Sequence, residues 1–486
     1  MRPAHLLLLT SAALTSACSV GPQFARPQVA APDRWQTTQT RDVASQLAAQ
    51  EIDPQWWTSF NDATLNDLAQ RALRANFDVR IAAVHVAQSR AQRKGITGDR
   101  WPTLNASASY QRERLSEFGT STRLIDAIGE PGRNRDAIIE VLSEEHDVYQ
   151  AGFDASWELD LWGRVRHAIE SADASVAASV EELHAAQLSL LSEVARGYLE
   201  LRGIQEQIGI ADNDIRAGEE LLQLTEDRAA GGLVTQLDVA GQRAHLADAR
   251  ARVPQLRQRE TQAINGLALL LGEQPGALRD LLATPQPLPT VPAKVGLGIP
   301  SEVARRRPDI RRAEARLHAA TADTGVAVAD LYPRITLTGN FAFQSLETAD
   351  LTQWGARQWT VGPSLYLPVF NGRRHAVVEL RKLQQQEAAI AYQRTVLQAW
   401  HEIDNALSAY TAEQKRNQEL AAGVAASKDA YELASLRYRH GLTNFLVALD
   451  AERTLLQAER AYSDSNTLIA TQLVALYKAL GGGWNE

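Results

Sequence analysis

Few side chains of this chain could do chemistry, and most of them stand beside two short glycine turns. The stretch Arg437–Arg453, RYRHGLTNFLVALDAER, reads as the end of a long helix, a turn at Gly441 and the start of another helix. Just inside that turn Leu446 and Asp450 lie four residues apart, on one face of the second helix. A twin stretch, Arg228–Ala240, RAAGGLVTQLDVA, turns at Gly232 and carries Asp238. The two stretches align without gaps at a spacing of 209 residues (441 − 232). The plain reading of Asp238 and Asp450 is solvated helix acids stabilised by the dipole, and that of Leu446 is coiled-coil core. Nothing else in the chain suggests a reaction centre. There is no G-x-S-x-G, no phosphate-binding G-x-x-x-x-G-K-[ST] and no H-E-x-x-H; His401-Glu402-Ile403-Asp404 lacks the second histidine. A single cysteine, Cys18, rules out an intramolecular disulfide. The expectation is a protein that is not an enzyme, with no cofactor and no metal site.

The elements that position the two turns are unusually long. Between Gly163 and Gly231 there is no proline, and apolar residues recur every three or four positions, as at Val165, Ile169, Ala172, Val176 and Val180. Such a helix is about 100 Å long. With one apolar stripe it must pack against neighbours along its length. The pattern repeats from Arg373 to His440, and each long helix is answered beyond its turn by a returning one, Gln236–Leu271 and Phe445–Leu480. Pro254, inside the first returning helix, predicts a kink or a break. An earlier helical pattern begins after Asn61 or Asp62 as N-cap.

The chain is a tandem duplication. Residues 76–92 match 307–323, with Asp78 and Asp309 at an offset of 231, and Gly163-Arg164 match Gly372-Arg373 at 209. The first copy therefore carries 22 extra residues (231 − 209), placed between Arg114 and Tyr149 and read as an exposed irregular loop. Each copy holds two segments of strict alternation, about 102–113 and 149–161 in the first, 333–345 and 358–370 in the second. Leu104, Ala106, Ala108 and Tyr110 alternate with Asn105, Ser107, Ser109 and Gln111, for example. These are strands with one apolar and one polar face, long enough to cross a bilayer. A soluble sheet lying on helices is the plain alternative. In lipid, open sheet edges are untenable, and the smallest closed membrane barrels have about eight strands. Four strands per chain therefore require an assembly.

The boundaries follow. Repeat 1 covers 61–283 with its tip at 228–240, and repeat 2 covers 301–486 with its tip at 437–450. A proline-rich linker, 284–300, separates them, and an arm with Trp35, Trp56 and Trp57 occupies 18–60. Net charge −8 argues against a nucleic-acid partner. Residues 1–17 form a signal peptide, too short to span a membrane permanently, and no later stretch has about 20 apolar residues. Thr15-Ser16-Ala17 before Cys18 resembles a bacterial lipoprotein signal, which implies acylation of Cys18; Ser19 beside it resembles the sorting pattern for the outer membrane. Two or more acyl chains give stable anchoring.

Together with this N-terminus, VGPQFARP (20–27), ARRRPDIRRAEARL (304–317), YPRITLTG (332–339) and LPVFNGRR (367–374) resemble the TolC family of outer membrane factors, in its OprM-like lipoprotein branch. The resemblance covers essentially the whole mature chain. It implies a membrane α+β fold: a homotrimer whose twelve-stranded transmembrane β-barrel, four strands per chain, continues into a long α-helical barrel with an equatorial domain. It implies the exit duct of a tripartite efflux pump, working with a periplasmic adaptor and an inner-membrane transporter of the RND type, held in outer-membrane lipid and extending into the periplasm. It makes Leu446 an apolar ring and Asp450 a carboxylate ring that narrow the periplasmic end, and assigns Tyr438 and Asp238 to links between hairpins. A threefold axis would bring three Asp450 carboxylates together, whose repulsion favours protons or cations. Thr443 and Val447 stand where the family often has a basic residue and a second acid, so closure here leans on Leu446. Gly232-Leu233-Val234 and Gly441-Leu442-Thr443 resemble the tips that dock the adaptor. The alternatives are the duct of a type I protein secretion system and, from another class, a periplasmic helical scaffold lipoprotein.

Overall fold

A computed structural model of the chain describes residues 19–27, 46–48, 53–119, 134–297, 303 and 305–484. The signal segment, Cys18 and Trp35 lie outside the described residues. In order, the elements are β1 (Gln46–Ala48), α1 (Ala63–Ala75), α2 (Phe77–Gly98), β2 (Thr103–Glu113), α3 (Asn134–Leu142), β3 (His146–Leu159), α4 (Arg164–Ala230), α5 (Gln236–Leu270) and α6 (Arg279–Leu282). After the linker come β4 (Lys294–Gly296), α7 (Pro308–Ala329), β5 (Arg334–Ser345), β6 (Arg357–Tyr366), α8 (Gly372–Arg439) and α9 (Phe445–Leu480).

Two compact units result, and each draws on both sequence copies. One holds residues 1–25, 90–174 and 318–387; the other holds 26–89, 175–317 and 388–486. The reason for the mixing is the sheet: its order is β2-β3-β5-β6, so the central pairing joins a strand of each copy.

In the first unit all three pairings are antiparallel, and the register lines up like with like. Ala106, Phe153, Phe341 and Trp359 form one cross-strand row, and Asn105, Asp154, Asn340 and Thr360 the next. Directly opposed residues share a face, so the apolar rows make a continuous greasy surface. Nothing among the described residues covers it: Leu104, Phe153, Trp359, Val361 and Leu365 are all more than half exposed. β2 and β6 each leave one edge unpaired among the described residues. Beside the sheet, Trp162 stacks on Tyr332 at 4.9 Å and donates from its indole to the Pro333 carbonyl at 2.7 Å. The Tyr-Pro turn is thus a packing site.

The second unit holds the main core. Trp56, Trp57 and Phe60 of the arm are buried with Tyr198, Leu267, Leu407, Leu473 and Leu476 of the helices. Trp56 stacks on Tyr477 at 5.1 Å, and its indole donates to the Gly482 carbonyl at 3.2 Å. The linker contributes Val295 and Leu297 to the same core, and β1 pairs with β4 in parallel. Arg307, buried, donates to Asp309 and Glu402 and to the Ala479 carbonyl at 2.6 Å. The Arg-Arg-Pro-Asp-Ile segment is therefore a clamp on the end of α9.

Three local expectations change. The last strand ends at Tyr366 rather than near 370, because Pro368 has no N–H for the ladder. The inserted loop contains a helix, α3, over Asn134–Leu142. Pro254 does not break α5, which runs through it for 35 residues; the missing N–H costs one bond in a helix held by many side contacts. Asp62, of the two candidates, is the N-cap of α1, accepting from the Leu65 N–H at 2.8 Å.

Candidate functional site at the two hairpin tips

Both tips are built the same way. The first closes with Leu233 N–H donating to Arg228 O at 2.8 Å and Gly232 N–H to Ala229 O at 3.0 Å; the second with Leu442 N–H to Arg437 O at 2.8 Å and Gly441 N–H to Tyr438 O at 2.9 Å. This is the Schellman arrangement, in which the residue past the helix end turns left-handed. Gly232 and Gly441 both have φ of 73°, which only glycine adopts without strain. Leu233 and Leu442, next in sequence, are 75% and 69% exposed, so each turn holds out a leucine to solvent. Val234 packs instead against the small core below the tips, and Thr443 is half-buried.

The returning helices start differently. α5 opens with a capping box: Thr235 and Asp238 exchange side-chain and backbone hydrogen bonds, with Asp238 Oδ2 accepting from Thr235 N at 2.9 Å. α9 opens with Asn444 alone, accepting from the Val447 N–H at 3.1 Å. Asp238 is therefore engaged at its own helix start, and among the described residues of the single chain it makes no contact with Tyr438.

Tyr438 is where the hairpins meet. It is buried with Phe445, Ala448 and Leu449, against Leu221 and Leu224 of the first hairpin. Arg228 lies over its ring at 4.7 Å, donating to the Tyr438 carbonyl at 2.7 Å and to the Arg439 carbonyl at 3.0 Å. Those carbonyls belong to the last turn of α8, which lacks intrahelical donors. Thr225 gives its hydroxyl proton to Leu221 O at 2.7 Å, so the Tyr438 phenol donates to Thr225 Oγ1 at 3.4 Å. Arg228 and Thr225 escaped sequence reasoning. The signal available was Arg228 in the last turn of α4, where a cation is favoured in any case.

Leu446 and Asp450 take no part in this core. Leu446 is 64% exposed between the buried Phe445 and Ala448. Asp450 is exposed, and its carboxylate has no partner among the described residues. One helix face thus presents a leucine and, a turn further, a free carboxylate.

A long hairpin pair joined to a four-stranded sheet with a bare apolar face fits one kind of protein, and the comparisons agree. A family model described as outer membrane efflux protein matches residues 68–273 and 299–482. The chain belongs to this family. Outer membrane protein OprJ of Pseudomonas aeruginosa is 34% identical, covering 100% of this chain and 97% of that protein. The probable efflux pump outer membrane protein TtgC of Pseudomonas putida is 32% identical over 100% and 97%. The solved structure of the outer-membrane channel OprN is similar with a TM-score of 0.86 at 36% identity, over 96% of this chain and 100% of that one. This outer membrane efflux protein is a channel component of the outer membrane. No helix among the described residues is long and apolar enough to cross a membrane.

Proposed function

We propose that three copies of this chain close into a passive exit duct, which passes small toxic solutes delivered by an inner-membrane transporter and a periplasmic adaptor and catalyses nothing itself. The observation that carries this reading is the sheet: four strands with apolar rows on a face and two edges that no described residue covers or pairs. In hydrocarbon each open edge must find a partner strand. Three chains give twelve strands, the number the family resemblance implies. The periplasmic end is narrowed by rings of Leu446 and Asp450, which the single chain leaves uncovered. Tyr438, held by Arg228, fixes the hairpin that carries them. The exposed Leu233 and Leu442, presented by Gly232 and Gly441 and backed by Val234 and Thr443, form the adaptor's docking points. Cys18 anchors the chain in the outer-membrane lipid.

Light scattering on protein extracted in mild detergent tests the assembly, with a protein mass near three chains expected. A monomer that stays soluble without its anchor would leave the sheet unclosed and sink the duct. Cys18→Ser should abolish palmitate incorporation, and undiminished labelling would remove the anchor.

A further inference from the structure

Away from the tips, three ionisable side chains meet inside the second unit. Asp214 comes from α4, His245 from α5 and Glu452 from α9. All three are more than nine-tenths buried. His245 Nε2 stands 3.6 Å from Asp214 Oδ1 and 4.0 Å from Glu452 Oε2, too far for hydrogen bonds. One ligand atom from each lies within 4.8 Å of the others. Asp214 Oδ1, His245 Nε2 and both Glu452 carboxylate oxygens have no hydrogen-bond partner among the described residues. Leaving a buried polar atom unpaired is costly, and four such atoms converge at this point.

We propose that Asp214, His245 and Glu452 bind a first-row divalent cation of the zinc class, which staples the first hairpin to the returning helix of the second. Imidazole and carboxylate are ordinary zinc ligands, at about 2.0–2.2 Å, and place neighbouring donor atoms about 3.3 Å apart around a tetrahedral ion. The present separations of 3.6 and 4.0 Å close to that with small side-chain adjustments. Three protein ligands leave a fourth position for water. Arg460 donates to the other oxygen of Asp214 at 3.1 Å and so orients the carboxylate, as outer partners do in metal sites. A cleft of about 640 Å³ lined by His245, Arg453, Leu456 and Arg460 offers a path from solvent. The charges around the cluster are mixed. Asp214 holds the His245 pKa up, while burial pushes the Glu452 carboxyl up to about 7, with His245 and Arg453 opposing.

The site rests on one chain's geometry and not on the duct reading, so the two fail separately. Full-length protein in mild detergent, stripped with EDTA, is titrated with Zn²⁺ by calorimetry, with bound zinc counted by elemental analysis. One ion per chain is expected, and His245→Gln and Glu452→Gln should each weaken binding at least tenfold, by about 1.4 kcal/mol or more. Protein mass on the same samples reports folding and assembly. If both variants fail to fold, zinc-edge X-ray absorption on the unaltered protein decides. It should show a single imidazole with oxygen neighbours. No stoichiometric binding, binding unchanged in folded variants, or a shell with two or more imidazoles would each overturn the site. A monomer that still binds one zinc would sink the duct and leave the site standing.

Discussion

The two hairpin tips share a turn and differ in what they present. Position for position, Gly232 and Gly441 have the same φ and the same pair of closing hydrogen bonds. Leu237 of the first matches Leu446 of the second, and both are exposed. Beyond that the copies part. Asp450 is matched by Gly241, where an added Cβ would stand 3.7 Å from the Phe445 ring. Tyr438 is matched by Ala229, and Val447 by Asp238. The first tip therefore spends Thr235 and Asp238 on starting its own helix. The second takes its bracing from the first, through Arg228, and keeps a leucine and a carboxylate uncommitted. Duplication supplied the turn twice, and divergence left the exposed leucine and carboxylate pair, Leu446 and Asp450, in one copy only.

The strongest way to break this contrast is the double substitution Leu446→Ala with Asp450→Ala. It should raise single-channel conductance and vancomycin sensitivity several-fold, whereas Leu237→Ala should do little. Unchanged conductance in a correctly inserted double mutant would remove the gate. Next comes the shared turn. Gly441→Pro forces φ from 73° towards about −65° and unmakes the Schellman closure. Drug resistance should fall at normal outer-membrane levels, as it should for Gly232→Pro; if resistance persists with the pump expressed, the docking assignment is wrong. Arg228→Ala should act more weakly, losing a ring contact of about 1 kcal/mol and two bonds to the α8 carbonyls. A partial rise in conductance is expected, with none for the matching Arg437→Ala; equal effects would deny the asymmetry. The smallest effects belong to the caps. Thr235→Ala and Asn444→Ala should each cost about 1 kcal/mol, seen as faster amide exchange in the first turns of α5 and α9. Thr235 should cost the more, because Asp238 loses its reciprocal partner.

Much of the architecture was legible before folding. The ends of α4 and α8 fall within one residue of the spans read from apolar recurrence, because a helix of that length needs an unbroken stripe and has no proline to stop it. Alternation located all four strands; β3 ended two residues early, at Leu159, and β6 four early, at Tyr366 before Pro368. The tips were legible as Gly-Leu turns at aligned positions. Less visible was the bracing of Tyr438, since an arginine in a last helical turn looks the same whether it faces water or a neighbour. Asp214, His245 and Glu452 were invisible. They lie on three helices and have no fixed spacing to betray them.

By itself the sequence determined what is periodic and local: the duplication, the helix lengths, the left-handed glycines and the two-faced strands. Each of these follows from the conformation of a few consecutive residues or from a repeat that one stripe or face must obey. The tertiary structure alone decided that β3 of one copy pairs with β5 of the other, that Arg228 lies over Tyr438, and that two carboxylates and an imidazole share one buried point. Those are contacts between segments far apart in the chain. They are set by how whole helices and strands come together, which no local pattern encodes.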